Sequence, residues 1–261
     1  MKKLLLLLRV SKPQNNETLY LHHKVYMNPQ LSFGRTNLLN GQTDSAEGSL
    51  IDEPVKLYYS TDDRATWTYI TEAHSAKKDN YAYIYCMYAV TYCPENYDQT
   101  RNKYYCRIPW EYIKDVWEEG YELMVIKNTS AFISYLHDAA EKESLPHAYG
   151  LVKYDLEEQQ KNKDYLLKAA NDPFESVFHK YENPYSVQQE FRFAIKKEDR
   201  PDHYELPLSD NATVKVSLLK PNKDKDIMIE LSDLAFDENG SPIKFSSELV
   251  FYEGNPISSI N

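Results

Sequence analysis

The sequence has few of the residues and motifs on which common nucleotide and metal sites depend. Only 7 of its 261 residues are glycine, and it contains neither G-x-G-x-x-G nor G-x-x-x-x-G-K-[ST], so Rossmann and P-loop assignments have no motif behind them. H-E-x-x-H and EF-hand motifs are absent as well. The three cysteines, Cys86, Cys93 and Cys106, form no C-x-x-C pair, so we expect reduced thiols in or near the core and neither zinc nor a disulfide framework.

The hydrophobic run at the N-terminus is short. The five leucines from Leu4 to Leu8 follow two lysines, as in a signal peptide, but the run ends at Arg9. It is shorter than a signal-peptide core and far too short to span a membrane. We therefore predict that residues 3–10 form a first β-strand and that the protein is cytoplasmic, with no membrane association.

Tyrosine and acidic residues are abundant. The chain has 23 tyrosines, 42% hydrophobic residues and a formal net charge of -10. Tyrosine favours strands, so the composition predicts a β-rich fold. Together with the order of elements along the chain, it predicts one α+β domain over residues 1–261, with a mixed or mostly antiparallel sheet and a few helices. The negative charge disfavours nonspecific binding to phosphate and indicates either solubility or docking on a basic partner.

Hydrophobic periodicity places the main elements. The nearly continuous apolar and aromatic run of residues 81–93 predicts a central strand buried on both faces. We predict a helix over residues 128–142 with Thr129 or Ser130 as its cap, and two extended segments, one over residues 18–27 and one at residues 122–126. Residues 32–48 hold three of the glycines and predict a long loop of the kind that often carries function.

The segment Tyr181–Lys196, YENPYSVQQEFRFAIK, alternates with a period of two. This pattern is typical of a strand with two different faces. One face carries Val187, Gln189, Phe191 and Phe193, and the other carries Gln188, Glu190, Arg192 and Ala194. The second face is either solvated, with Glu190 in a cross-strand ion pair, or the floor of a polar site. In a polar site, a carboxylate could stabilise an oxocarbenium-like centre and hold a ribose hydroxyl, while Gln188 orients an acceptor.

Two earlier segments supply candidate ligand contacts. Alternation over residues 18–27 would place Tyr20 and His22 on one side of a strand, where the histidine is either structural or a ribose or phosphate contact. In the following loop, the guanidinium fork of Arg35 suits a diphosphate. Asp44 and Glu47 could hold Arg35 or a ligand, or form an internal ion pair in a capped turn.

The order of these pieces resembles a group of bacterial and phage proteins of unassigned function, which is in turn similar to ADP-ribosyltransferases. The resemblance is carried by residues 25–30, by Phe33 with residues 44–48, and by residues 185–193. Sites of the ADP-ribosyltransferases combine an early Arg or His, a Ser/Thr-containing strand and a late [Q/E]-x-E motif. The Ser-Thr-Ser triplet of that family is not found here.

The resemblance implies roles for individual residues. Gln188 and Glu190 match the late motif, His22 (or else His23) takes the early NAD-binding position, and Ser32 is the candidate for the middle motif. The implied fold is ADP-ribosyltransferase-like, and the implied reaction is loss of nicotinamide from NAD followed by transfer to a protein or nucleic-acid acceptor. Such a transferase could be a toxin or a phage–host conflict factor.

The alternative function is that of a non-catalytic acidic phage or bacterial accessory protein that binds a host partner. In either case we expect Arg192 to serve as an ion-pair partner of Asp44 or Glu47 and to take no part in catalysis.

Overall fold

The computed structural model describes residues 3–30, 32, 55–59, 68–73, 82–114, 116–172, 174–182, 185–199, 201–238, 240, 242–244, 249–252 and 255–260. The described strands are β1 (Leu4–Ser11), β2 (Lys24–Pro29), β3 (Val55–Tyr59), β4 (Thr68–Ala73), β5 (Ala82–Thr91), β6 (Tyr97–Asp98), β7 (Lys103–Ile108), β8 (Glu122–Ile126), β9 (His147–Leu151), β10 (Glu190–Lys196), β11 (Tyr204–Pro207), β12 (Val216–Lys220), β13 (Ile227–Ser232), β14 (Ala235–Phe236), β15 (Pro242–Lys244), β16 (Leu249–Tyr252) and β17 (Asn255–Ile260). The helices are α1 (Pro13–Tyr20), α2 (Trp110–Ile113), α3 (Thr129–Lys142), α4 (Leu156–Gln159) and α5 (Lys163–Asn171). This is the α+β fold that the order of elements in the sequence predicts.

A nine-stranded sheet forms the centre of the fold. Seven of its strands lie in the order β11-β2-β5-β1-β8-β12-β17, and β10 joins β5 to β9. The strand pairs are antiparallel. Strand β5 is central and largely buried, as its continuous apolar run predicts.

Different layers cover the two faces of this sheet. On one face, α1 and α3 contribute Leu19, Phe132 and Leu136 to a core shared with Leu7 and Phe193. On the other face a four-stranded sheet, in the order β16-β13-β7-β6, contributes to a second core. The arrangement is therefore helix, sheet, sheet, and each layer buries its apolar face against the next.

The central sheet divides along one edge of β5. Strand β10 pairs with β5 from Ala82 to Tyr88, so β1 and β2 must share the opposite edge. Strand β2 pairs there with Tyr83 and Ile84, and the β1 ladder begins only at Tyr88. Residues 85–87 lie between the two ladders, where β1 leaves β5 to continue along β8.

Two local predictions of secondary structure are wrong. Residues 18–27 do not form one extended segment, because α1 ends at Tyr20 and β2 starts at Lys24. The proline at the first position of α1 presets helical φ, and burial of Leu19 in the core holds the helix in place. The cap of α3 is Asn128 instead of Thr129 or Ser130, since Thr129 turns inward and donates a hydrogen bond to the carbonyl of Leu5 at 2.9 Å.

No disulfide joins the three cysteines, and they do not share one environment. Cys106 is buried, Cys86 is half-buried and Cys93 is exposed. The prediction of a core or near-core position is therefore wrong for Cys93, which lies beyond the end of β5 where the chain turns into a short 3-10 helix. None of the helices in the described part of the chain is long and apolar enough to cross a membrane.

Candidate functional site

A cavity of about 470 Å³ opens where β1 and β2 separate along β5. This volume is typical of small-molecule sites, which span roughly 300–1,000 Å³. Its wall includes Arg9 from β1, Tyr26 and Asn28 from β2, and Tyr112 from α2. The segment between α5 and β10 adds Lys180 and Gln188 to the wall, and β10 itself adds Glu190 and Arg192.

Three charged side chains at the base of this cavity form a buried ion-pair cluster. The Glu190 carboxylate accepts a hydrogen bond from Lys180 Nζ on one oxygen and from Arg192 Nε on the other, each at 2.8 Å. Lys180 is 5% exposed, Arg192 2% and Glu190 9%. Buried charges persist where they are paired and hydrogen-bonded, and this cluster meets both conditions.

The cluster sets the protonation state of the carboxyl group. Burial alone would raise the pKa of Glu190, but the charges and hydrogen bonds of Arg192 and Lys180 outweigh burial and lower that pKa to about 2. Glu190 is therefore ionised at neutral pH. A carboxylate has roughly four lone-pair positions, so it can accept a ligand hydroxyl in addition to its two protein donors.

Backbone pairing fixes Lys180 in the site. The N–H of Lys180 donates to the carbonyl of Lys153 at 2.9 Å, and the carbonyl of Lys180 accepts from the N–H of Leu156 at 3.0 Å. One residue earlier, His179 Nδ1 lies 2.6 Å from the Asp155 carboxylate. The segment that carries Lys180 is thus tied to the turn after β9.

Arg192 and the start of β10 are held in a similar way. Arg192 Nη1 donates to the carbonyl of Val177 at 2.5 Å. The N–H of Glu190 donates to the phenolic oxygen of Tyr154 at 2.9 Å. Burial, and then the negative charge of Glu190, raise the pKa of Tyr154, which keeps that phenol neutral.

Positive charge predominates in the cavity wall although the protein is acidic. Among the lining residues that the structure describes, the charged ones are four cations and one anion: Arg9, Lys12, Lys180, Arg192 and Glu190. The guanidinium carbon of Arg9 lies 4.1 Å from the centroid of the Tyr85 ring, which positions this charge by a cation–π contact. An excess of cations in a concave site attracts anionic ligands.

Tyrosines supply much of the remaining wall. Five of the lining residues are tyrosines: Tyr26, Tyr85, Tyr88, Tyr112 and Tyr121. The rings of Tyr88 and Tyr112 lie with centroids 5.9 Å apart. Burial raises the pKa of Tyr88, so its hydroxyl is a neutral donor and acceptor. Aromatic walls with a few polar groups are typical of sites that bind planar rings.

The structure brings together only part of the predicted site. Gln188 and Glu190 line one cavity together with Arg192, and Lys180 Nζ also donates to Gln188 Oε1 at 2.9 Å. The strand itself begins at Glu190 and not before. Gln188 ends a 3-10 helix, and Gln189 has a positive φ of 42°.

Three of the ligand contacts predicted in the N-terminal part of the chain lie outside the cavity. His22 is exposed in the turn before β2. Tyr20 ends α1, and Ser32 donates to the carbonyl of Pro29 at 2.7 Å. None of these three residues is part of the described cavity wall, so their predicted grouping with Glu190 is not seen.

The predicted loop residues Arg35, Asp44 and Glu47 lie outside the described residues, and their predicted roles stay predictions. The ion pair of Arg192 that the structure shows is with Glu190, two residues earlier on the same strand. The alternation had placed these two side chains on one face, and same-face neighbours of opposite charge on a strand can pair in this way.

Sequence reasoning missed several residues of the site. Lys180, Arg9 and Tyr112 lie on three distant segments, and no local pattern connects them. In the sequence, Lys180 stands ten residues before Glu190, but this spacing of a lysine and a glutamate is too common to indicate an ion pair. Comparison with protein-family models, with curated proteins and with solved structures found no match.

Proposed function

We propose that the cavity binds a nucleotide-type ligand and that NAD is the candidate substrate. The observation that carries the proposal is the ionised Glu190, held by Lys180 and Arg192 at the base of a cavity with cationic and tyrosine walls. The cations suit phosphate groups, and the tyrosines suit a base or nicotinamide ring.

The chemistry proposed for the site is transfer of ADP-ribose. The bond between the ribose C1′ and the nicotinamide nitrogen breaks, and its electron pair leaves with neutral nicotinamide. The resulting cation at C1′ is stabilised by the negative charge of Glu190. A nucleophile of a protein or nucleic-acid acceptor then bonds to C1′ and releases its proton to solvent, and Gln188 is proposed to orient this nucleophile.

This proposal changes the set of ligand contacts. Gln188 and Glu190 keep the roles that the resemblance to ADP-ribosyltransferases implies. His22, Tyr20 and Ser32 are replaced by Arg9 and Lys12, because these two cations line the cavity and the other three do not. In this proposal the anion is bound near the N-terminus by Arg9 of β1 instead of by His22.

Binding and turnover can be measured separately. Titration calorimetry with ADP-ribose should show one saturable site, and Lys12→Ala should weaken it about tenfold through the lost charge on phosphate. Lys24→Ala is the matched control, since Lys24 is an exposed lysine paired with Glu205 at 2.8 Å and lies outside the cavity wall. Equal affinities for both variants, or no binding by the wild type, would refute the site.

Turnover is followed as nicotinamide released from NAD. The wild type should release it, and Glu190→Gln should release at least a hundredfold less. Gln188→Ala should retain release to water but lose transfer to an added acceptor. Circular dichroism of each variant separates lost catalysis from lost folding.

A second candidate is a binding protein without turnover. It is favoured by the observation that both oxygens of Glu190 already accept hydrogen bonds from protein cations. Saturable binding of ADP-ribose without nicotinamide release would support this candidate. Together with the net charge of -10, it would favour an acidic accessory protein that docks on a basic host partner.

A further inference from the structure

Two histidines and a glutamate converge on the protein surface at the end of α3. His137 and Glu141 are four residues apart on this helix and therefore share one face. His147, the first residue of β9, follows a short connection. His137 Nδ1 lies 2.7 Å from His147 Nε2, and one ligand atom from each of the three residues lies within 4.8 Å of the others.

Local structure fixes the direction of the His147 ring. Its Nδ1 lies 3.0 Å from the carbonyl oxygen of Leu145, and its ring stacks on Phe193 with centroids 5.8 Å apart and planes 24° apart. A histidine whose Nδ1–H is bonded to a backbone carbonyl presents an unprotonated Nε2, and metal-binding histidines are commonly oriented in this way. This Nε2 faces His137.

The other two ligand atoms are mobile enough to adjust. His137 and Glu141 are exposed, while Leu136 and Ala140 of the same helix are buried in the core. The helix axis is therefore fixed by packing, but the two exposed side chains can rotate. Two nitrogens at 2.7 Å need to separate by only about half an ångström to sit on one ion with metal–nitrogen bonds of about 2.0–2.1 Å.

We propose that His137, Glu141 and His147 form a binding site for a divalent transition metal, with Zn²⁺ as the expected ion. Two imidazoles and one carboxylate suit zinc and disfavour calcium and magnesium, which take oxygen ligands. Three protein ligands leave the fourth tetrahedral position to water. None of the three residues belongs to the described wall of the cavity, so this site is independent of the proposed nucleotide site.

The bound ion would join two elements of the fold. His147 pairs with Ile195 of β10 across the sheet, and α3 packs on the same core. A metal held by both would tie the end of α3 to the edge strand β9. Metal binding should therefore stabilise the folded chain as well as occupy the site.

The test is calorimetric titration of tag-free protein with ZnSO₄ in a buffer without phosphate or chelator. We expect one Zn²⁺ per chain and a melting temperature that rises on zinc addition. His137→Ala and Glu141→Gln should each weaken binding at least tenfold. Both residues are exposed, so neither change should prevent folding.

Two controls make the result specific. His22→Ala removes another exposed histidine, and Glu143→Gln removes a neighbouring glutamate just past α3, and both should bind zinc like the wild type. Co²⁺ should give the intense visible absorption of a tetrahedral site in the wild type, and the double variant of His137 and Glu141 should abolish it. Zinc binding that is absent, or that persists unchanged in this double variant, would overturn the proposal.

Discussion

Lys180 Nζ and the Glu190 carboxylate lie 2.8 Å apart, and both side chains are buried at the base of one cavity. Their segments meet because the chain between α5 and β10 pairs with the turn after β9. Neither charge could be buried alone without a cost of several kcal/mol. Removing either charge should therefore destabilise the segments that form the cavity as well as change the charge inside it.

Replacement of Glu190 by glutamine should reveal this dependence. Glu190→Gln leaves Lys180 and Arg192 buried with no carboxylate, so we expect a loss of about 3–5 kcal/mol in the free energy of unfolding. Adding Lys180→Met should recover part of this loss, because one uncompensated charge is removed. Urea unfolding of the single and double variants measures both effects. A double variant less stable than Glu190→Gln alone would contradict this account.

The same carboxylate should make stability depend on pH in the acid range. The pKa of Glu190 is lowered from 4.5 to about 2, so the folded protein binds this proton less readily than the unfolded chain. The contribution of Glu190 is therefore complete above about pH 5 and is lost as the pH falls towards 2. It amounts to about 3 kcal/mol.

Unfolding curves measured at intervals between pH 6 and pH 2 check this window. The wild type should lose stability steeply below pH 5, and Glu190→Gln should lose less because glutamine does not titrate. Other carboxylates contribute to both proteins alike, so the difference between the two curves is the relevant quantity. Parallel curves would show that Glu190 is not held as the structure indicates.

The site illustrates which structural relationships the sequence could predict. Period-two alternation placed Glu190 and Arg192 on one face, and the structure confirms this because the pleat of a strand is a local property. The apolar run of β5 and the helical spacing of α3 were predictable for the same reason. Lys180 and Arg9 were not, since their positions depend on how β1, β5 and the segment before β10 meet in three dimensions.

The wrong prediction for residues 18–27 has a related cause. The alternation around Tyr20 and His22 predicts an extended segment, but the proline seven residues before Tyr20 starts a helix. Burial of Leu19 in the shared core holds that helix. A short segment with ambiguous periodicity is decided by its contacts, and these were not visible in the sequence.

Asp155 should act on the site through His179 and Lys180. Asp155→Ala removes the carboxylate that lies 2.6 Å from His179 Nδ1 and leaves this buried histidine without its anionic partner. We expect a loss of about 1–3 kcal/mol in stability and weaker binding of ADP-ribose, since Lys180 is the next residue. Asp164→Ala, an exposed aspartate at the start of α5, is the control and should change neither quantity by a comparable amount.

Asp226 should hold α2 in the position where it forms part of the cavity wall. Its carboxylate accepts a hydrogen bond from the N–H of Trp110 at 2.8 Å, at the start of α2, and it pairs with Arg107 of β7. The hydrogen bond from the Trp110 N–H, and then Arg107, lower the pKa of Asp226, so it is charged at neutral pH. Asp226→Ala should loosen α2 and with it Tyr112, which lines the cavity.

The expected result of Asp226→Ala is a several-fold weaker affinity for ADP-ribose with little change in the far-ultraviolet circular dichroism. Hydrogen exchange should rise at the amides of residues 110–114, and the amides of α3 should serve as the internal reference. Asp224→Ala, two residues away, is the matched control, because the Trp110 N–H donates its hydrogen bond to Asp226 and not to Asp224. If both variants bind ADP-ribose as the wild type does, α2 does not shape the ligand site, and its tyrosine can be removed from the proposed contacts.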